Sequence, residues 1–201
     1  MSQAELNAIY AGGADHMVQR FDARSTEAML AWARDLLPAS PATALDVGAG
    51  SGRDAGWLAS QGYSVTAAEP VIEFHPAIHR NAPDARISMA TLPALKGLSD
   101  RFDLIIVNAV VHHLTGTDRD TAYARLQDRL TEGGLMLLSL RIGPAIDGKP
   151  VHALDPAAEI ARALRAGLAL LRRNDQPAAD AGEDRAGVRW TWLALTNEAS
   201  T

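Results

Sequence analysis

One segment constrains the fold more than any other: an apolar run that ends in three alternating glycines. Ala42–Val47 is typical of a buried strand, and Gly48, Gly50 and Gly52 follow it directly. Residues 53–61 then have a helical pattern. Glycines allow a sharp turn and the close approach of a ligand, and the helix that follows presents free N–H groups. A strand, a glycine turn and a helix in this order predict a ligand-binding α/β fold.

Helices and strands alternate along the rest of the chain. The patterns predict helices over 26–37, 53–61, 70–81, 118–132 and from 155, and strands over 42–47, 63–68, 85–89, 101–109, 134–141, 168–173 and 188–196. Alternation of this kind implies crossover connections and a largely parallel sheet with helices on both faces. The last two strands have no helix between them, so the last strand is expected to be antiparallel. We predict one doubly wound, seven-stranded α/β domain.

Composition excludes several classes of function. The chain is 47% hydrophobic and 21% charged, which is ordinary for a soluble globular protein, and its net charge is -5. A nucleic-acid binder needs a basic surplus, and no apolar stretch reaches the roughly 20 residues of a membrane helix. The absence of cysteine excludes disulfides and thiolate metal sites, and no other set of metal ligands is apparent. We therefore expect a cytoplasmic protein that binds neither nucleic acid, membrane nor metal.

A carboxylate after the second strand narrows the choice of ligand. Glu69 stands 17 residues after Gly52, where a carboxylate can accept both hydroxyl groups of a ribose. The dinucleotide fingerprint is G-x-G-x-x-G, whereas the spacing here is G-x-G-x-G. Asp46, two residues before the first glycine, would repel a pyrophosphate but suits a cationic ligand with an amino group. These features favour S-adenosylmethionine, with a nicotinamide dinucleotide as the weaker alternative.

Longer stretches of sequence resemble one family. The segment LDVGAGSGRDAGWLASQGYSVTAAEP resembles motif I and the second strand of the class I S-adenosylmethionine-dependent methyltransferases. RFDLIIVNAVVHHL and LTEGGLMLLSLR resemble the fourth and fifth strands of that family. The resemblance implies a Rossmann-like fold, methyl transfer from S-adenosylmethionine, and S-adenosylhomocysteine as product. It also implies a single domain, 1–201, with an N-terminal helical cap over 1–40, a cofactor-binding core over 41–142 and a substrate-side segment with the closing strands over 143–201.

The same resemblance assigns roles in cofactor binding. Glu69 would hold the ribose hydroxyls, and Asp46 would hold the amino group, directly or through water. The remaining residues that it places around the cofactor are Gly48, Ala49, Gly50, Gly52, Arg53, Pro70, Thr91, Leu92 and Asn108. Ala90 stands where many relatives have an aspartate that binds the adenine amino group. That contact must then come from the backbone, from Thr91 or from water.

Two adjacent histidines are the candidates for the chemistry. His112 and His113 follow the fourth strand, where the substrate pocket of such a fold opens. Neighbouring residues at a strand end point to opposite sides, so only one histidine is expected to face the acceptor. We predict His112 as the base or substrate-orienting group and His113 as the weaker candidate, and a purely structural histidine is the alternative for either. Arg141, at the end of the fifth strand, could bind a carboxylate or phosphate of the substrate, and its interpretation as a solvated strand end is slightly favoured.

Three functions remain open at this level. The first is a methyltransferase that acts on a small molecule or a protein side chain, with a small-molecule acceptor favoured. The second is a non-catalytic protein of the same fold that binds S-adenosylmethionine. The third is a nicotinamide-dependent oxidoreductase, which the glycine spacing disfavours. Nothing in the sequence identifies the acceptor atom or the oligomeric state.

Overall fold

The strands form one mixed sheet in the order β3-β2-β1-β4-β5-β7-β6. The structure is a computed structural model that describes residues 2–144, 148–177 and 186–197. The strands are β1 Thr43–Val47, β2 Ser64–Ala68, β3 Arg86–Ser88, β4 Phe102–Val107, β5 Leu130–Ile142, β6 Leu168–Gln176 and β7 Arg189–Asn197. β7 runs antiparallel to both of its neighbours, and the other pairs are parallel. The prediction of a seven-stranded, mostly parallel sheet with an antiparallel last strand is confirmed.

Seven α-helices surround the sheet in the described part of the chain. They are α1 Gln3–Gly12, α2 Ala14–Asp22, α3 Thr26–Leu30, α4 Arg53–Ser60, α5 His75–Asn81, α6 Gly116–Arg129 and α7 Pro156–Arg165. Alternate residues of β4 point to opposite faces: Ile105 packs in the core that contains α6, and Leu104 packs in the core that contains α4. Both faces of the sheet are therefore covered by helices.

The first predicted helix and the fifth strand are among the elements whose boundaries differ from the sequence-based prediction. The helix expected over 26–37 is an α-helix only at Thr26–Leu30 and continues as a 3₁₀ helix over Ala31–Leu36. The fifth strand begins at Leu130 rather than at residue 134, because α6 ends directly in the strand and Gly133 is accommodated with a positive φ of 71°.

The N-terminal helices lie over the carboxyl ends of the central strands. Phe21 in α2 and Tyr10 in α1 pack around Phe74, with ring centroids 6.1 Å and 6.4 Å from that residue. This small apolar cluster attaches α1 and α2 to the segment after β2. The division into 1–40, 41–142 and 143–201 stays a prediction, and residues 145–147, 178–185 and 198–201 of the last part lie outside the described residues.

Candidate active site

A cavity of about 820 Å³ opens at the carboxyl ends of β1, β2 and β4. Ligands of open α/β sheets bind in the crevice outside this end of the strands. Residues 48–51 of the glycine loop line its base, the segments after β2 and β4 form its sides, and α1 and α2 cover it. The structure therefore brings the sequence-predicted residues to one enclosed space, with the exceptions described below.

The first position of the glycine loop, Gly48, has no room for a side chain. Gly48 has a φ of +70°, and a Cβ placed there would lie 2.6 Å from Val110 Cγ2. Gly50 has a φ of +53° and faces the ring of Phe21, which would lie 3.1 Å from an added Cβ. Gly48, Ala49 and Gly50 line the cavity, so their backbone is open to a ligand.

Gly52 and Arg53, the other two residues predicted from this motif, differ in whether they line the cavity. Gly52 does not line the cavity. With a φ of +78°, it allows α5 to approach so closely that a Cβ would lie 2.8 Å from the Cα of Ile78. Its place in the structure is in helix packing, and direct cofactor contact by Gly52 stays a prediction. Arg53 does line the cavity.

Glu69 lies where a ribose-binding carboxylate is expected, directly after β2. Its Oε2 accepts a hydrogen bond from the N–H of Gly50 and its Oε1 one from the N–H of Val71, both at 2.8 Å. Burial raises the pKa of Glu69, and the two N–H donors oppose that rise. A carboxylate has about four lone-pair sites, so two remain for hydroxyl groups of a ligand. Glu69 thus links the glycine loop to the second strand and still faces the cavity.

Asp46 is buried beneath the loop and does not line the cavity. Burial and the neighbouring Asp54 carboxylate raise the pKa of Asp46 well above its ordinary value. Its Oδ2 has no hydrogen-bond partner among the described residues. The contact between Asp46 and an amino group of the cofactor, direct or through water, stays a prediction.

Sequence reasoning missed the carboxylate that does line this part of the cavity. Asp54 accepts two hydrogen bonds from Arg53, both at 2.8 Å, and further ones from Thr26 Oγ1 at 2.5 Å and Asn108 Nδ2 at 2.9 Å. Burial raises the pKa of Asp54, but the charge and hydrogen bonds of Arg53 outweigh burial, so the pKa is lowered. Asp54 therefore fixes the side chains of Arg53 and Asn108, two predicted site residues. Its position in the first turn of α4 was the available signal.

The predicted adenine-binding residues Pro70, Thr91 and Leu92 all line the cavity. Ala90 is buried outside it, and its N–H donates to Ser88 Oγ at 3.2 Å. The hydroxyl of Thr91 donates to the carbonyl oxygen of Leu92 at 3.3 Å, which leaves its lone pairs available. Thr91 therefore lies at the cavity as predicted, and the source of the adenine amino contact stays a prediction.

The expectation that only one histidine faces the cavity is wrong. Residues Val111–His113 form a 3₁₀ turn instead of a strand end, so side chains are about 120° apart rather than alternating. The rings of His112 and His113 lie 4.1 Å apart between centroids, and both line the cavity.

The two histidines differ in their hydrogen bonds. His113 Nδ1 lies 2.7 Å from the Pro150 carbonyl oxygen, which only accepts, so Nδ1 donates. His113 Nε2 then accepts from the hydroxyl of Tyr10 at 2.8 Å. Burial, then the Glu69 charge, raises the pKa of Tyr10 to about 12, so this hydroxyl stays protonated. Both nitrogens of His113 are occupied.

His112 is only 3% exposed, and its Nδ1 is buried without a hydrogen-bond partner in the described part of the chain. Burial, followed by the charges of His113, Arg141 and Lys149, holds the pKa of His112 well below its ordinary value. The imidazole is therefore neutral at pH 7. The ring packs edge-on to Trp190 at 6.5 Å.

The interpretation of Arg141 as a solvated strand end is wrong. Its side chain is buried, lines the cavity and donates to the Pro144 carbonyl oxygen at 2.8 Å. The reason is that β5 extends to Ile142 and the strand end lies inside the covered crevice rather than at the rim.

The described residues contain no group of three or more metal-ligating side chains. No helix in the same part of the chain is long and apolar enough to cross a membrane.

Solved structures of known methyltransferases share this fold. The 1,6-didemethyltoxoflavin-N1-methyltransferase of Burkholderia thailandensis, solved with 1,6-didemethyltoxoflavin and S-adenosylhomocysteine bound, is 21% identical at a TM-score of 0.75, over 98% of this chain and 88% of that protein. An S-adenosylmethionine-dependent methyltransferase of Mesorhizobium loti is 16% identical at a TM-score of 0.71, and the match covers 84% of this chain and 97% of that protein. A glycopeptide N-methyltransferase solved with S-adenosylmethionine is 19% identical at a TM-score of 0.64, and the match covers 85% of this chain and 93% of that protein.

Sequence comparison gives a family but no individual relative. No curated protein matches the sequence. Residues 45–138, which run from β1 to β5 and include the glycine loop, Glu69 and both histidines, match the family model of a methyltransferase domain. This match shows that residues 45–138 form a methyltransferase domain, and the fold of the chain is the one that the S-adenosylmethionine-dependent methyltransferases above share.

Proposed function

We propose that this protein transfers a methyl group from S-adenosylmethionine to a small-molecule acceptor, with His112 at the acceptor. One observation carries the proposal: a single cavity joins the glycine loop and Glu69 at one end to His112 at the other. When bound, S-adenosylmethionine supplies a methyl group activated by its sulfonium. Positioning of the acceptor then provides much of the catalysis. A concave cavity of this size beneath two helices suits a small acceptor.

The cofactor fits the residues at the first end of the cavity. The Glu69 lone pairs that the backbone leaves available would accept the ribose hydroxyls, and Pro70 and Leu92 would flank the adenine. The exposed backbone of Gly48–Gly50 would follow the methionine part, near Asn108. Asp54, with its lowered pKa, provides negative charge at this end of the cavity.

His112 is proposed as the group that takes the acceptor proton. A neutral imidazole with hydrogen on Nδ1 presents the Nε2 lone pair as a base. Nδ1 is buried and has no partner among the described residues, so nothing there stabilises the imidazolium. His112 is therefore a weak base, and a weak base deprotonates an acidic group more readily than an alcohol or an alkyl ammonium. The acceptor group should be acidic, such as a phenol or a heterocyclic N–H.

Substitution of Glu69 by alanine should weaken S-adenosylhomocysteine binding by about 10- to 150-fold, which corresponds to roughly 1.5–3 kcal/mol for hydrogen bonds to a charged group. Calorimetric titration measures this. Glu73→Ala is the matched control, because Glu73 is exposed near Glu69 and does not line the cavity. An unchanged dissociation constant for Glu69→Ala would show that the ribose is bound elsewhere.

The proposal as a whole is tested by turnover and binding together. The protein is incubated with S-adenosylmethionine and a panel of phenols, N-heterocycles, amines and thiols, and formation of S-adenosylhomocysteine is measured. Tight binding of the cofactor without turnover on any acceptor would favour the non-catalytic alternative. Preferential binding of NAD over S-adenosylmethionine would exclude the methyltransferase function.

A further inference from the structure

A lysine lies at the histidine end of the cavity and has no carboxylate partner in the described part of the chain. The ammonium of Lys149 lies 4.1 Å from the centroid of the Tyr10 ring and 3.8 Å from Met17 Sδ. No ion pair of Lys149 occurs within residues 2–144, 148–177 and 186–197. Tyr10 in turn contacts His113, so the lysine, the tyrosine and both histidines form one connected group. The cation–π contact holds this half-buried ammonium in place and leaves it available to pair with an anionic ligand.

The two ends of the cavity differ in the sign of the charged side chains that line them. Its two described carboxylates, Asp54 and Glu69, are satisfied by Arg53 and by backbone N–H groups at the cofactor end. Near the histidines the charged side chains among the described lining residues are cations, Lys149 and Arg141. The charges of both lower the pKa values of the two histidines, after burial, so they lie close to the acceptor position. This is found in a protein whose net charge is -5.

The walls of the same region are aromatic. Trp190 packs edge-on to His112 and Tyr10 edge-on to His113, with centroid distances of 6.5 Å and 5.7 Å. Trp192 also lines the cavity. Aromatic side chains favour offset or edge-on packing with other rings, so these walls suit a planar ligand.

We propose that Lys149 binds an anionic group of the acceptor, and that the acceptor is a small aromatic acid whose hydroxyl group faces His112. This inference rests on the proposed methyltransferase function, because it names the substrate class of the same site. Lys149 neutralises the acid, the aromatic walls orient the ring, and His112 takes the hydroxyl proton. Electrostatic complementarity of this kind selects among acceptors of similar shape.

The test compares two probes of nearly the same shape, of which one is an anion and the other is neutral. 4-Hydroxybenzoate and 4-hydroxybenzamide are titrated calorimetrically into protein saturated with S-adenosylhomocysteine. The acid should bind at least about tenfold more tightly than the amide, as expected for a charge-assisted hydrogen bond. Lys149→Met should abolish this preference, and Lys149→Arg should retain most of it.

The chain provides a matched control, since Lys96 is its only other lysine and is exposed outside the cavity. Lys96→Met should leave the preference unchanged. Equal binding of acid and amide, a preference that survives in Lys149→Met, or no binding of either probe would each overturn the inference. Titration with S-adenosylhomocysteine alone separates the two proposals: loss of that binding in the unsubstituted protein contradicts the proposed function, whereas its retention without acid preference contradicts only the acceptor class.

Discussion

Substitution of His112 by alanine is expected to lower kcat by about 10²- to 10⁴-fold, the usual contribution of a general base. The affinity for S-adenosylhomocysteine should change little, because the cofactor end of the cavity is formed by Glu69 and the glycine loop. Steady-state kinetics with an acceptor identified in the turnover screen, and calorimetry of the product complex, measure the two effects. A loss confined to KM would show that His112 only positions the acceptor.

His113→Ala is the informative comparison. It removes the hydrogen bonds to Pro150 and Tyr10 and should lower the melting temperature, while kcat falls by less than in His112→Ala. A larger loss of kcat in His113→Ala would reverse the assignment.

The pH dependence gives an independent test of His112. Because its folded pKa lies below the ordinary value of about 6.5, the base is already neutral above that pH. Titration of His112 should therefore leave the rate unchanged above pH 6.5. The rate should fall as the pH drops through the lowered pKa, because the base becomes protonated. The residual rate of the His112→Ala variant should not show this decrease at low pH.

Substitution of Gly50 by valine is expected to weaken cofactor binding by at least about 100-fold in a protein that still folds. The residue has a φ of +53°, and a β-branched side chain there is strained by roughly 1–2 kcal/mol. Its Cβ would also press on the Phe21 ring, at 3.1 Å, and occupy space above the glycine loop. Calorimetry with S-adenosylhomocysteine and thermal denaturation separate lost binding from lost stability.

Gly133→Val is the control for backbone strain. Gly133 has a similar φ of +71°, but nothing lies within 4 Å of a Cβ built on it, and it is exposed at the start of β5. It should show a similar loss of stability with unchanged cofactor affinity. Tight binding by Gly50→Val would contradict the placement of the cofactor on this loop.

The sequence by itself determined the architecture and the family. The strand, the glycine turn and the helix over residues 42–61 are contiguous, so their periods and their glycines can be recognised without any tertiary contact. The alternation of helices and strands fixed a parallel sheet, and two strands without an intervening helix fixed the antiparallel end. Because parallel strands end at one edge, the sequence also predicted that Glu69 would face the same crevice as the glycine loop.

Tertiary structure determined how the side chains are arranged at the end of the cavity that contains the histidines. A 3₁₀ turn at Val111–His113 turned both histidines into the cavity, where a strand end would have separated them. Lys149 became part of the site only because α1 brings Tyr10 against the segment after β5. Likewise, Asp54 binds Asn108 through a contact between distant segments. Periodicity describes neighbours along the chain, whereas these contacts depend on how helices and loops fold over the end of the sheet.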